Sequence, residues 1–164
     1  MTNDYLPWYD DRTMKELTHR MPPGGRLLGI DFGDARIGIA CSDPALRVAT
    51  AVETLVRKSF TDDTARLAKI IEERRIVGLV VGWPLSMDGG ENPRTQATRA
   101  FIRNLHKKAE IELPHCLWDE RLTSAQVEKF LIEGLDMTRA KRKKVVDQMA
   151  AVVILQSALD TLDL

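Results

Sequence analysis

The sequence predicts an α/β domain of three layers, a central mixed five-stranded sheet flanked by helices, and three observations predict it. The chain has 164 residues, which suits one domain at about 100 to 200 residues each. Its apolar part opens with a strand, a turn and a strand, then a third β-branched segment, and afterwards the apolar period alternates between helix and strand. One later run, Ile76 to Gly82, is apolar without interruption, as in a strand covered on both faces.

Residues 1–25 read as an N-terminal extension to a domain spanning 26–164, because they are polar, irregular and closed by Pro22-Pro23-Gly24-Gly25. The extension is expected to be flexible or to carry a short helix around Arg12 to Arg20. Arg26 to Asp31 is a compact apolar run ending in an acid, Phe32 to Ala35 turns the chain, and Arg36 to Ser42 returns as a second strand. Val48 to Val56 is the third β segment. Thr61 to Arg75 carries Leu67, Ile70 and Ile71 at helical spacing and leads into the Ile76 run. Trp83 to Asn92, with Pro84, Gly89 and Gly90, reads as a loop before a helix that starts near Pro93 and aligns Ala97, Phe101 and Leu105. Glu112 to Asp119 is the last strand. Thr123-Ser124-Ala125-Gln126 has capping-box spacing, and a final helix is expected from about Lys144 to Leu162.

Composition narrows the function classes. With 44% hydrophobic and 29% charged residues the chain is globular in character. No apolar stretch approaches the roughly 20 residues of a spanning helix, and acids occupy the amino terminus where a signal peptide needs a basic segment. A cytoplasmic location is expected. Cys41 and Cys116 each lie in an apolar run with no zinc-ligand spacing around them, so both are expected as buried thiols. The 24 basic and 24 acidic residues cancel, so any argument for a nucleic-acid partner must come from local charge.

Three places hold acids where chemistry would need them. Asp31 ends the first strand, Asp119 and Glu120 end the last, and strand ends are where open α/β sheets bind ligands. Adjacent strand residues point to opposite faces, so either Asp119 or Glu120 could be the inward one. On the final helix, Asp147 shares a stripe with Ala150, Ala151, Ile154, Ala158 and Leu162. An inward carboxylate costs several kcal/mol unless it is paired or holds a cation. Each acid alone could be a turn, cap or ion-pair residue. One site for hard divalent ions, a pair about 4 Å apart, explains Asp31, Glu120 and Asp147 together.

Substrate contacts follow from position. Five of the six residues from Arg139 to Lys144 are basic, so Lys141, Arg142, Lys143 and Lys144 either hold a phosphate backbone beside the metals or form a solvated surface run. Arg36, Arg94 and Arg121 would extend that patch. Trp83 and Met87, placed on the loop, are candidates for contact with an unpaired base, the alternative for Trp83 being simple packing.

Five ordered motifs then carry a resemblance. Gly29-Ile30-Asp31-Phe32-Gly33, Arg36 to Ala40, Val80 to Gly89, Asp119 to Thr123 and Asp147 to Ala151 resemble those of the YqgF family, also called RuvX. Its members are described as pre-16S rRNA nucleases and as Holliday junction resolvases. The resemblance implies a ribonuclease H-like fold, a metal-dependent nuclease, and Asp31, Glu120 and Asp147 as the acids that hold Mg2+ or Mn2+, with two ions expected. It implies a nucleic-acid partner, RNA being favoured and four-way DNA the alternative; with no heptad or other oligomer signal in the sequence, a monomer or weak homodimer is expected. Two other classes compete. Gly-Ile-Asp-Phe-Gly before a hairpin is also similar to the first phosphate motif of actin-like and sugar-kinase ATPases, but those need a second such domain. A binding protein with the fold and no activity is the other, and keeping all three acids argues against it.

Overall fold

The structure, a computed structural model, describes residues 13–121 and 138–162, apart from the side chains of residues 13, 142–144, 146 and 147. The strands are β1 (Arg26–Phe32), β2 (Arg36–Ser42), β3 (Ala49–Val56), β4 (Ile76–Trp83) and β5 (His115–Asp119). The helices among the described residues are α1 (Thr13–Arg20), α2 (Phe60–Glu73), α3 (Pro93–Lys107) and α4 (Arg139–Asp160).

The apolar runs decide the sheet. The first three strands form an antiparallel meander, and then α2 and α3 each carry the chain across so that β4 pairs parallel with β1 and β5 parallel with β4. The resulting order, β3-β2-β1-β4-β5, buries β1 and β4 at the centre. This is the mixed five-stranded sheet that the sequence predicts. One face packs Leu28, Ile30, Leu79 and Val81 against Leu67 and Ile70 of α2 and Phe101 and Leu105 of α3. The other packs Leu27, Ala40, Val80 and Cys116 against Met14 and Leu17 of α1 and Ala151, Ile154, Leu155 and Ala158 of α4. Three layers result, with a core on each side of the sheet.

Local chemistry sets the element ends. Ser59 caps α2 by accepting from Asp62 N at 3.1 Å. Asn92 opens α3 through a reciprocal capping box with Thr95, followed by Pro93 in the first turn, where a missing N–H costs nothing. α4 lies so close to the sheet that a Cβ on Gly29 would stand 2.8 Å from Leu155 Cβ and 3.0 Å from the Ala151 carbonyl. The described part of the N-terminal extension is helical and joined to the core through Met14 and Leu17, each 3% exposed. Cys41 and Cys116 are buried and free.

Several boundaries differ from those read in the sequence. β5 begins at His115 rather than Glu112, because Glu110 is left-handed at φ 56 and Pro114 has no N–H to pair. The Pro114 carbonyl instead accepts from Leu79 N at 2.9 Å, and the ladder starts there. α4 begins at Arg139, five residues before the expected Lys144, with Thr138 as its cap. The basic run therefore lies within the first turns of the helix, not ahead of it. Trp83 belongs to β4 rather than to a loop. The capping-box residues Thr123 to Gln126 and the first twelve residues lie outside the described residues. Among the described residues no helix is long and apolar enough to cross a membrane.

Candidate metal centre and nucleic-acid interface

Strand alternation settles which acid faces which way. Trp118 packs with α4 on one side of the sheet, so Glu120, two residues on, shares that side, and Asp119 is turned away. The Glu120 N–H donates to the Trp83 carbonyl at 3.1 Å, which extends the β4–β5 ladder one residue past the strand and fixes the Glu120 backbone. Asp119 is clamped by Arg121, whose Nε donates to both carboxylate oxygens at 3.0 and 2.9 Å and whose terminal nitrogen donates at 2.6 Å. That guanidinium holds the Asp119 carboxyl below its ordinary value.

Glu120 meets Asp31 instead. Asp31 stands near the end of β1, paired with Gly38 of β2, and its carboxylate hydrogen-bonds to that of Glu120. Burial, and after it the Asp31 charge and hydrogen bond, push the Glu120 carboxyl up to about 8, with Arg94 pulling the other way. Room for Glu120 comes from Gly82 on β4, since a Cβ there would collide with Glu120 Oε1. Two carboxyl groups from β1 and from the end of β5 are thus pressed together in a buried place, an arrangement that a divalent cation would relieve. Hard oxygen donors of this kind fit magnesium or manganese. The third acid, Asp147, belongs to α4, the helix that covers this face, and its side chain lies outside the described residues. Among the described residues no cluster of three such ligands forms.

A cleft of about 570 Å³ opens beside Asp31, lined by Gly33, Asp34, Ala35, Arg36, Gly38, Thr54 and Arg94. Two of the expected substrate contacts, Arg36 and Arg94, therefore share the cleft with Asp31. Met87 is 84% exposed on the following loop. Lys141 is exposed in the first turn of α4, and the side chains of Arg142, Lys143 and Lys144 lie outside the described residues. Trp83 is corrected: it is 7% exposed in the core with the Arg99 guanidinium 5.3 Å from its ring centroid, so packing won over base contact. Missed by sequence reasoning were Gly38, Gly82 and Thr54. A glycine inside a strand pattern was the available signal, because it marks close approach of a ligand or another group.

Residues 25–161 match the RuvX family, described as Holliday junction resolvase. The chain belongs to the RuvX family. Relatives in it include a protein named as a candidate pre-16S rRNA nuclease in Rhodopseudomonas palustris (strain BisA53), 55% identical over 90% of this chain and 88% of that one. Another of the same name in Bradyrhizobium sp. (strain ORS 278) is 54% identical over 90% of this chain and 89% of its own. Among solved structures, Thermus thermophilus RuvC in complex with a Holliday junction substrate is similar at TM-score 0.48 and 12% identity, over 85% of this chain and 96% of that one. The yeast mitochondrial Holliday junction resolvase Ydc2 aligns at TM-score 0.47 and 14% identity, over 93% and 86%.

The shifted carboxyl gives this RuvX-family site a pH signature. Glu120 ordinarily titrates at 4.5 and in the folded chain at about 8, so the folded state binds that proton more tightly. The contribution of this group to metal-free stability is fully present below about pH 4.5, falls as pH rises from there through about 8, and is gone above. Glu120→Gln should remove that slope, making the variant more stable than wild type near pH 8 and not near pH 4. Denaturant unfolding in chelator across this range measures it, and parallel pH profiles for both proteins would refute the carboxyl pairing.

Proposed function

We infer that this chain is a metal-dependent endonuclease that hydrolyses phosphodiester bonds at the 5′ end of precursor 16S rRNA. The observation that carries the reading is the contact between the buried Glu120 carboxyl and Asp31, which itself lines a cleft shared with Arg36 and Arg94. Asp31, Glu120 and Asp147 would hold magnesium or manganese, which when bound supplies the charge that activates water and stabilises the leaving oxygen. Arg94 and Arg36 would neutralise phosphates on the strand lying in the cleft. Asp119 holds Arg121, whose guanidinium lies beside Gly89 of the loop after β4. The names of the 54–55% identical relatives favour RNA. The family description favours four-way DNA as the second reading.

A cytoplasmic location suits an enzyme of ribosome assembly, and one active site suffices to trim one strand, whereas paired cuts need two. The test offers purified protein a precursor 16S 5′ leader and a synthetic four-way junction, at equal salt with magnesium or manganese. RNA should be cut faster. Symmetric nicks in the junction with the RNA intact would select the second reading. In the same assay, replacing Lys141, Arg142, Lys143 and Lys144 by Gln should flatten the salt dependence of binding by about 0.7 log unit per lost phosphate contact on single strands. An unchanged slope would make the run a solvated surface.

A further inference from the structure

The floor of the cleft has a chemical pattern. β3 and β2 pair so that Thr54 opposes Gly38, and β2 and β1 pair so that Gly38 opposes Asp31. Directly opposed residues of antiparallel strands share a face, so Thr54, Gly38 and Asp31 form one row across the sheet on the side that α4 covers further along. On the other flank of Asp31 the parallel register brings Gly82 alongside, since Ile30 pairs with Val81. Glu120 and Ile154 fill the space over Gly82, so it is on the β2 side of Asp31, where Gly38 lines the cleft, that the sheet offers backbone without a side chain. A sugar–phosphate chain can lie there against the strands, where any side chain at position 38 would stand in its path.

The lining residues divide by what they can recognise. Asp31 and Asp34 are acids and Arg36 and Arg94 are cations, suited to metal and phosphate, while Gly33, Ala35 and Gly38 have no polar side chain. Thr54 is the neutral hydrogen-bonding side chain among the described residues of this lining. Its position is held firmly. Arg57, at the exit of β3, donates to the Gly33 carbonyl at 3.0 Å and the Asp34 carbonyl at 2.9 Å, and its backbone N–H donates to the Ala35 carbonyl at 2.9 Å. The same guanidinium lies 4.4 Å from the centroid of the Phe32 ring. The β1–β2 turn and the end of β3 are tied into one wall.

We propose that Thr54 is a specificity-determining residue whose hydroxyl pairs with a ribose 2′-hydroxyl of the strand that crosses β3 and β2 to reach the acids. A hydroxyl both donates and accepts, as a 2′-hydroxyl does, and that group separates RNA from DNA. Two strand spacings of about 4.8 Å put Thr54 roughly 10 Å from Asp31, or about three stacked nucleotides at 3.4 Å each. The pairing therefore falls on one sugar within that distance of the cut. This inference rests on the nuclease reading and adds the group that selects the sugar.

The experiment uses a single-stranded RNA carrying the cut site and a set of copies with one 2′-deoxy sugar each, walked along both sides of the cut. Wild type should lose roughly three- to tenfold in kcat/KM at one position within about three nucleotides of the cut. In Thr54→Val, which keeps the β-branched shape, the ratio of all-RNA to deoxy rates at that position should fall to about one. Thr54→Ser should restore the ratio, an outcome that a packing role would not produce. A wild-type ratio that survives in Thr54→Val, or no sensitive position in wild type, overturns the assignment of Thr54 while leaving the nuclease reading in place. Cleavage that persists in Asp31→Asn, or no cleavage of any substrate, overturns the nuclease reading and the inference with it.

Discussion

Asp31→Asn should give a folded protein that no longer cuts. Asp31 is half-buried at the end of a central strand, so an isosteric amide keeps the packing while removing the charge that a cation needs. With Asp31 as a metal ligand, as proposed, its loss from a site that stabilises the transition state by several kcal/mol corresponds to a thousandfold or greater loss, on the order of 1.4 kcal/mol per tenfold. Stability should rise or stay level in the absence of metal, since the substitution removes the charge pressed against Glu120. The measurement is the single-turnover cleavage rate beside a denaturant curve in chelator. Near-normal cleavage by this variant would place the chemistry elsewhere in the molecule.

Gly82→Ala should be nearly as damaging to activity through a different route. A Cβ at this position collides with Glu120 Oε1 and would stand 2.7 Å from Ile154 Cδ1 and 2.9 Å from Glu120 Cδ. Both obstacles are the far ends of side chains that can swing aside. Folding should therefore lose only about 1 to 3 kcal/mol. Catalysis has no such tolerance if Glu120 holds the metal as proposed, because displacing such a carboxylate by about 1 Å costs on the order of a hundredfold. Gly29→Ala makes the contrast, since its Cβ would meet the backbone carbonyl of Ala151 and the Cβ of Leu155, neither of which can turn away. That variant should lose stability first. A Gly82→Ala protein with full activity would mean that Glu120 does not need its present place.

What was legible in the sequence was what a period can encode. The apolar runs from Arg26, Arg36 and Ile76 became the three inner strands, and the stripe through Ala151, Ile154 and Ala158 became the buried face of α4. Asp31 and Glu120, chosen because they end strands far apart in sequence, are in contact. The start of α4 was not legible because Arg139, Lys141, Arg142 and Lys143 oppose the helix dipole in a first turn, where acids are the usual signal. Pro84 gives the segment from Trp83 the look of a loop, yet it only ends the strand, with the Trp83 ring already packed. The role of Gly38 and Gly82 depends on what lies across from them in neighbouring strands. Register is a property of pairs, and no single stretch of sequence contains it.

The two acids that touch belong to strands separated by β4 and by both crossover helices. Parallel pairing of this kind cannot form from a local hairpin, and long-range contacts come late in folding because their loops must close first. A chain emerging from the ribosome would therefore carry Asp31 early and remain harmless until β5 has docked beside β4. For a nuclease of the kind proposed, the order of strands acts as a safety catch: the two acids meet only in the finished molecule.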